Sequence, residues 1–156
     1  MIDISIPGFG QLTLAHLLLD YNGTLAIDGV LIEGVVSRLS KLAEKLELHV
    51  ITGDSFGTAR EQLKEIKCHL TILPAEKQMK AKKEYIQKFK AEHIMAIGNG
   101  RNDQPMVKEA IIGVAIAGPE GAAVQTITAA DIVVPSIIVA LDLLLHPRRL
   151  VATLRS

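Results

Sequence analysis

Most apolar residues of this chain fall in short runs of strand length, separated by segments with helical spacing. The runs of strand length lie at 15–20, 48–52, 69–73, 93–97, 112–116 and 131–134. In the segments between and after them, apolar residues recur every three or four positions, which predicts helices over 33–46, 58–66, 76–91, 103–110, 122–129, 136–145 and 147–155. Because parallel strands can be joined only through crossovers, this alternation predicts a mostly parallel sheet with helices on both faces.

The first residues of the chain have a different pattern. Two short alternating segments, 2–6 and 12–14, flank Pro7-Gly8-Phe9-Gly10, which predicts a β-hairpin. The chain contains no repeat, linker or low-complexity tract, so we expect residues 1–156 to form one domain with 1–14 as an N-terminal hairpin extension. The predicted fold class is α/β, a Rossmann-like three-layer α/β/α arrangement.

Composition narrows the range of functions. The chain is 49% hydrophobic but only 3% aromatic, which favours an aliphatic core. Lys+Arg and Asp+Glu number 17 each, so no net charge favours nucleic acid as a partner.

No apolar run reaches membrane-spanning length and no targeting segment is present, so we expect a cytoplasmic protein that does not bind membranes. Cys68 is the only cysteine, and the five histidines lack the spacing of a metal motif, which favours structural or surface roles.

Polar side chains of the types used in phosphate chemistry follow several predicted strands. Asp20 ends the first central strand and precedes Asn22, Gly23 and Thr24. In open α/β sheets, ligands bind beyond the carboxyl ends of the strands, where the strand order reverses. A glycine-containing turn there can point backbone N–H groups at an anion, and an aspartate can act as a nucleophile or a metal ligand.

Three later segments carry matching chemistry. Thr52-Gly53-Asp54 follows the next strand, and Lys77 begins the lysine-rich helix, where a nearby anion would compensate a cation at a helix N-terminus. The strand ending at 97 leads into Gly98-Asn99-Gly100-Arg101-Asn102-Asp103, which is dense in the oxygen ligands that Mg²⁺ prefers.

Taken in order, these segments resemble the motifs of the haloacid dehalogenase (HAD) superfamily, and within it the phosphorylation domain of P-type ATPases. The segments that carry the resemblance are DYNGTLA, ITGDSFGTA, PAEK, IGNGRND and the following stretch VAIAGPEGAAVQTITAADIVV. An ordered set of four motifs, spread from about residue 15 to the end of the chain, is much more specific than any one of them.

The resemblance implies a phosphoryl-transfer site centred on Asp20, which would form an aspartyl-phosphate. It implies Mg²⁺ as the cofactor, held by Asp20, Asn22 through its backbone carbonyl, and Asn99, with support from Asp103. The catalytic residues would be Asp20, Asn22, Thr52 and Lys77. The residues expected to bind the phosphate or substrate are Gly23, Thr24, Thr52, Gly53, Lys77 and Asn102.

Two asparagines depart from the family pattern. Family phosphatases usually carry a second aspartate at the position of Asn22, where it serves as general acid and base, and such help contributes roughly 10² to 10⁴ in rate. Asn99 stands where a carboxylate usually binds the metal, which predicts weaker Mg²⁺ binding. Both asparagines precede glycine, so spontaneous deamidation to aspartate is expected in aged samples.

The connections after Leu25 and Asp54 are too short for an inserted cap domain. We therefore expect an open site, for a phosphorylated substrate or a nucleotide, that a homo-oligomer could help to enclose. The first hypothesis for the function is a slow HAD-type phosphatase, a hydrolase. The second is a P-type-ATPase-like protein with a persistent phosphoenzyme, and the third is a non-catalytic module that binds phosphate or a partner.

Overall fold

The structure is a computed structural model that describes all residues from 1 to 156. It contains ten strands, β1 to β10, which are Ile2–Ile6, Gly10–Leu14, His16–Leu19, Ala26–Ile27, Val30–Leu31, Glu47–Thr52, His69–Ile72, Ile94–Gly98, Ile112–Ile116 and Ile132–Val134. The seven helices, α1 to α7, are Val35–Leu42, Ala59–Gln62, Gln78–Ile86, Gln104–Glu109, Val124–Ala129, Ile137–Leu145 and Pro147–Leu154. Two single 3₁₀ turns, Ala91–His93 and Arg101–Asp103, precede and follow β8.

Six strands form the central sheet, in the order β10-β9-β8-β3-β6-β7. Every neighbouring pair in this sheet is parallel. The chain moves from β3 outward to β6 and β7, and then returns to the other side of β3 to form β8. The strand order therefore reverses between β3 and β8, and the α/β fold class predicted from the sequence is confirmed.

Helices cover both faces of this sheet, because the central strands carry apolar side chains on both faces. The three leucines of β3 at 17–19 and all five residues of β8 are buried, as expected for strands covered on both sides. A large cluster of 32 buried residues includes side chains of α1, α6 and the first hairpin. A smaller cluster of nine includes side chains of α3 and α4. Tyr21 and Tyr85 are the only buried aromatic side chains other than His49, so the core is aliphatic as predicted.

The predicted N-terminal hairpin is confirmed. β1 and β2 pair in antiparallel register from Ile2 opposite Leu14 to Ile6 opposite Gly10. The alternate side chains Ile2, Ile4 and Ile6 are buried in the large cluster, so the hairpin belongs to the core and is not a free extension.

A second hairpin, which the hydrophobic pattern does not predict, forms where β4 pairs with β5 directly after the Asp20 turn. Its tip is Asp28-Gly29, and both residues have positive φ, 49° and 79°. Positive φ at both central residues is the requirement of a type I′ turn, for which Asp-Gly is a favoured pair. The signal was therefore present in the sequence.

Several helices are shorter than their apolar patterns predict. The segment 58–66 forms only the four-residue helix α2 before it continues as turns, and 33–46 is helical only over α1. The connections between β3, β6 and β7 hold only the second hairpin and these short helices, so the prediction that no cap domain is inserted is confirmed. None of the helices is both long and apolar enough to cross a membrane.

Candidate active site

Asp20 lies directly beyond the carboxyl end of β3, at the point where the strand order reverses. Its backbone N–H donates to the carbonyl of Ile97 on β8, which fixes it between these two strands. Asp103 approaches from the loop that follows β8. Asp20 is 8% exposed and Asp103 is fully buried. Two carboxylates are thus enclosed at one end of the sheet, and their negative charge must be compensated.

The compensating cation is Lys82, on the buried side of α3. Its Nζ lies 2.6 Å from Oδ1 of Asp20 and 2.5 Å from Oδ1 of Asp103. Lys82 is itself completely buried. One ammonium therefore bridges the two carboxylates, and the three groups together carry one net negative charge.

Burial and the neighbouring Asp103 carboxylate raise the pKa of Asp20 to about 6, although Lys82 opposes this shift. Burial alone would lower the pKa of Lys82, but the carboxylates of Asp103 and Asp20 outweigh it and hold that pKa above its usual range. Lys82 therefore stays protonated at neutral pH, and a further positive charge near Asp20 would favour the ionised carboxylate.

Asp103 organises the loop that carries Asn99. Its Oδ2 accepts hydrogen bonds from the backbone N–H of Asn99 at 2.9 Å and of Gly100 at 2.8 Å. A Cβ at Gly98 would lie 2.5 Å from the Asp103 side chain, so this close approach requires glycine. Both Asp103 oxygens have protein partners, so its contribution in this structure is to position Lys82 and the loop.

The segment after β9 holds the same loop from the other side. Thr126 donates from its hydroxyl to the carbonyl of Gly100 at 2.7 Å, and the N–H of Ala123 donates to the carbonyl of Asn99. The Asn99 Nδ2 donates to the carbonyl of Gly121 at 3.1 Å. Since this bond engages the amide nitrogen, it turns the Asn99 Oδ1 towards the Asp20 side of the site.

The Thr24 hydroxyl contacts a side-chain oxygen of Asp20 and one of Asn99. Thr24 Oγ1 lies 3.3 Å from Asn99 Oδ1 and 3.5 Å from Asp20 Oδ2, and all three side chains are buried. Gly23, with φ of 80°, passes so close to Asn99 that a Cβ there would lie 2.4 Å from its Nδ2. A β-carbon at position 23 would therefore displace Asn99.

The side-chain oxygens of this site are suitable ligands for a hard divalent cation. The Oδ1 of Asn22 is buried and is the one buried side-chain oxygen or nitrogen that lacks a hydrogen-bond partner. An unsatisfied buried acceptor is costly, and a site that binds ions is one setting in which it persists. Asp20 Oδ2 and Asn99 Oδ1, which both face the Thr24 hydroxyl, are oxygen ligands of the kind that Mg²⁺ prefers.

Thr52 and Gly53 lie at the carboxyl end of β6, the strand next to β3. Thr52 is buried, and its hydroxyl accepts a hydrogen bond from the N–H of Asp54 at 2.9 Å. Gln78, which sequence reasoning missed, lies against Gly53 and accepts a hydrogen bond from Asn102 Nδ2 at 2.8 Å. Gln78 thus connects the turn after β6 to the loop after β8.

The structure does not place Lys77 in the cluster with Asp20. Lys77 is exposed, has a positive φ of 62° at the start of α3, and forms no ion pair. It lines an outer cleft between α3 and α4 with Lys80, Lys83 and Lys108. The lysine that contacts Asp20 is Lys82, five residues further along.

A helical pattern in the sequence could have identified Lys82. It lies three and four residues before Tyr85 and Ile86, so it shares their face of α3, and these three are the buried residues of that helix. Met79, an apolar residue in the first turn of the same helix, is exposed, so apolar character alone does not identify the buried face. A lysine on the apolar face of a helix indicates a buried partner of opposite charge.

Solved structures of phosphatases share this fold. The 3-deoxy-D-manno-octulosonate 8-phosphate phosphatase of Moraxella catarrhalis, solved with magnesium, phosphate and KDO, matches with a TM-score of 0.65 and 20% identity, over 91% of this chain and 94% of its own. A putative phosphatase of the same name from Vibrio cholerae matches with a TM-score of 0.72 and 17% identity, over 94% and 96%. An apo phosphoserine phosphatase matches with a TM-score of 0.63 and 16% identity, over 86% and 99%.

The chain therefore shares the α/β Rossmann-like fold of HAD phosphatases. The Rossmann-like sheet, and the resemblance on which the sequence analysis relied, are therefore confirmed. At these identities the likeness concerns the HAD fold and does not assign a substrate.

Sequence relatives come from two groups. The uncharacterized protein MJ0073 of Methanocaldococcus jannaschii is 47% identical over 79 residues, which are 48% of this chain and 85% of MJ0073. The copper-transporting ATPase HMA5 of Oryza sativa is 32% identical over 114 residues, 70% of this chain but only 11% of the transporter. A probable cadmium-transporting ATPase of Staphylococcus aureus is 34% identical over 90 residues, 55% of this chain and 12% of the pump. No protein-family model matches the chain.

Proposed function

We propose that this protein is a Mg²⁺-dependent phosphomonoesterase that works through an aspartyl-phosphate on Asp20. The observation that supports this most is the buried arrangement of Asp20, Lys82 and Asp103 at the switch point of the sheet. A carboxylate held by an ammonium, close to the amide oxygen of Asn99, is suited to receive a phosphoryl group. The phosphatases that share the fold support the same class of reaction.

The charge of the site explains why a divalent cation is required. Lys82 leaves one net negative charge on the group of three, which would repel a phosphate dianion. Mg²⁺ would supply the missing positive charge and orient the phosphoryl oxygens. In this proposal Asp20, the backbone carbonyl of Asn22 and Asn99 hold the ion, and Asp103 keeps the Asn99 loop in position.

In the first half of the reaction, a carboxylate oxygen of Asp20 attacks the phosphorus in line with the ester bond. The phosphorus–oxygen bond of the ester breaks, and its electron pair leaves with the alcohol oxygen, which takes a proton from water. Lys82 and the Thr52 hydroxyl stabilise the charge on the transferred oxygens. Gly23, Thr24, Gly53 and Asn102 line the place that the substrate occupies.

The second half, attack of water on the aspartyl-phosphate, is the slow half in this proposal. A water molecule needs a base to accept its proton, and the amide of Asn22 cannot accept it at neutral pH. Turnover is therefore expected to be limited by hydrolysis of the phosphoenzyme. The substrate class is a phosphate monoester or a nucleotide that can reach an uncapped site.

A second candidate function is a P-type-ATPase-like protein that keeps its phosphoryl group. The observation that favours it is the similarity to the copper-transporting ATPase over 70% of this chain, together with the amide at position 22. The two functions share the first half of the reaction and differ in the fate of the phosphoenzyme. A module that only binds phosphate would show neither half.

Hydrolysis of a generic aryl phosphate tests the proposal. We expect slow release of phosphate that requires Mg²⁺, is lost in Asp20→Asn and is retained in Asp3→Asn. Asp3 is an exposed residue of β1 and supplies a matched substitution away from the site. Equal turnover in wild type and Asp20→Asn, or none with any phosphate donor, would refute the phosphomonoesterase. Fresh protein should be checked by mass spectrometry for deamidation of Asn22 and Asn99.

A further inference from the structure

Three of the five histidines meet at the end of the sheet opposite to Asp20. His16 begins β3, His49 lies in β6 and His69 begins β7. In the parallel register His16 is opposite Glu47, and His49 is opposite His69. Because Glu47 and His49 are two residues apart in one strand, all four side chains lie on the same face of the sheet. These three histidines lack the sequence spacing of a metal motif, and the strand order alone brings them together.

The distances between three donor atoms fit one metal ion. His16 Nδ1 lies 3.2 Å from His49 Nε2 and 3.4 Å from Glu47 Oε2, and His49 Nε2 lies 3.9 Å from the same oxygen. A tetrahedral ion about 2.0 to 2.2 Å from each donor requires donor separations of about 3.3 to 3.6 Å. Only the Glu47 side chain, which is 63% exposed and free to adjust, has to move by a few tenths of an ångström.

The surroundings hold the His49 ring in the orientation that a ligand needs. Its other nitrogen, Nδ1, is 3.0 Å from the Tyr85 hydroxyl, and the ring is buried. It lies between His69, whose ring is stacked with a centroid separation of 5.0 Å, and Phe89 at 4.8 Å. A hydrogen bond on the second ring nitrogen is the usual way in which proteins fix a metal-binding histidine.

The opposite side of the cluster is accessible. His16 is half-buried against Phe89, and Glu47 is exposed, so water can reach the fourth position of a tetrahedral ion. Two imidazoles, one carboxylate and an open position form a set that suits Zn²⁺ and similar transition metals. Mg²⁺ prefers six oxygen ligands and is disfavoured here.

We propose that His16, Glu47 and His49 form a second metal site, specific for Zn²⁺ or a similar divalent transition metal, at the amino-terminal end of the sheet. Asp20 and Thr52 lie at the other ends of the two strands that this ion would bridge. The ion would join β3 to β6 and stabilise the strands that carry the Asp20 site. This proposal does not depend on the proposed function.

Titration of Zn²⁺ into chelator-stripped protein, in excess Mg²⁺ to occupy the Asp20 site, tests the second site. We expect one equivalent of Zn²⁺ to bind to the wild type, with affinity reduced at least tenfold in Glu47→Gln and in His16→Gln. Glu47 is exposed and His16 half-buried, so both variants should fold, and circular dichroism checks this. Co²⁺ in place of Zn²⁺ should give the visible spectrum of a four-coordinate site with nitrogen and oxygen ligands.

Three control variants identify other sources of Zn²⁺ binding. His146→Gln removes an exposed histidine elsewhere, Cys68→Ser removes the thiol beside His69, and Asp20→Asn alters the phosphoryl-transfer site. All three should bind Zn²⁺ as the wild type does. Three results would each overturn the proposal: no binding by the wild type, unchanged binding in Glu47→Gln and His16→Gln, or loss of binding in a control.

Discussion

Lys82 donates to Asp20 across 2.6 Å, and both side chains are almost completely buried at the end of β3. The same ammonium contacts Asp103. Lys82 offsets one of the two buried negative charges and places a positive charge next to the proposed nucleophile. Substitutions of Lys82 and of the exposed Lys77 test how much this ammonium contributes to stability and to activity.

Replacement of Lys82 by methionine should destabilise the fold and abolish activity. Loss of the ammonium leaves two buried carboxylates without a counter-charge, and breaking a buried ion pair typically costs about 3 to 5 kcal/mol. The free energy of unfolding, measured with urea, checks the first effect, and Mg²⁺-dependent phosphate release checks the second. Lys77→Met is the matched control, because Lys77 is exposed and has no ion-pair partner. Loss of activity in Lys77→Met with full activity in Lys82→Met would show that Lys77, and not Lys82, is the lysine needed for activity.

Replacement of Asn22 by aspartate should accelerate the release of phosphate. A carboxylate at this position can protonate the leaving oxygen and then accept the proton of the attacking water. General acid–base help of this kind contributes roughly 10² to 10⁴ in rate. Single-turnover decay of the phosphoenzyme measures the step directly. Gln11→Glu is the control, because it also replaces an amide by a carboxylate, at an exposed residue of the first hairpin away from the site. Equal decay in wild type and Asn22→Asp would contradict the role given to Asn22.

Replacement of Asn99 by aspartate should tighten the binding of Mg²⁺ and weaken the metal-free protein. The new carboxylate adds charge opposite the cation, but it gives up the hydrogen bond that Nδ2 donates to Gly121 and lies close to Asp20. The Tm of Asn99→Asp should therefore lie below that of the wild type without Mg²⁺ and above it with Mg²⁺. A Mg²⁺ titration that matches the wild type would remove Asn99 from the proposed ligand set.

Much of the fold could be predicted from the sequence, because the strands are short apolar runs whose burial on both faces leaves a strong pattern. The site at the end of β3 followed from the position of Asp20, Thr52 and the 98–103 loop after successive strands. Lys82 was missed because six lysines lie between 76 and 91, and the motif directed attention to Lys77. Gln78 was missed because its role depends on a contact across two loops.

The histidine cluster was missed for a different physical reason. His16, His49 and His69 are 33 and 20 residues apart, and only the order and register of β3, β6 and β7 bring them together. Their positions at or near the start of successive predicted strands were the available signal. The single-domain arrangement, the cytoplasmic location and the homo-oligomer stay predictions.

The stability of the metal-free protein should fall with acid between pH 6.5 and about pH 4. Burial, followed by the neighbouring His16 and His69, lowers the pKa of His49 from 6.5 to about 4, and Glu47 opposes the shift only in part. Within this window the unfolded chain binds the proton and the folded chain does not. Stability from this group is therefore complete above pH 6.5 and is lost as the pH falls, by up to about 3 kcal/mol.

Urea unfolding at several pH values, with a chelator present, measures this effect. His49→Gln should flatten the dependence in the window, whereas His146→Gln should retain it because His146 is exposed. Parallel curves for wild type and His49→Gln would show that other groups govern the acid sensitivity.

The most direct test of the central claim is to trap the phosphoryl group on Asp20. Freshly purified protein is incubated with Mg²⁺ and acetyl phosphate or labelled ATP, quenched in acid, and digested for mass spectrometry. We expect one phosphoryl group on the peptide that contains Asp20, which accumulates in the wild type, decays faster in Asn22→Asp and is absent in Asp20→Asn. Phosphate on any other residue, or an unmodified Asp20 with every donor, would contradict the account.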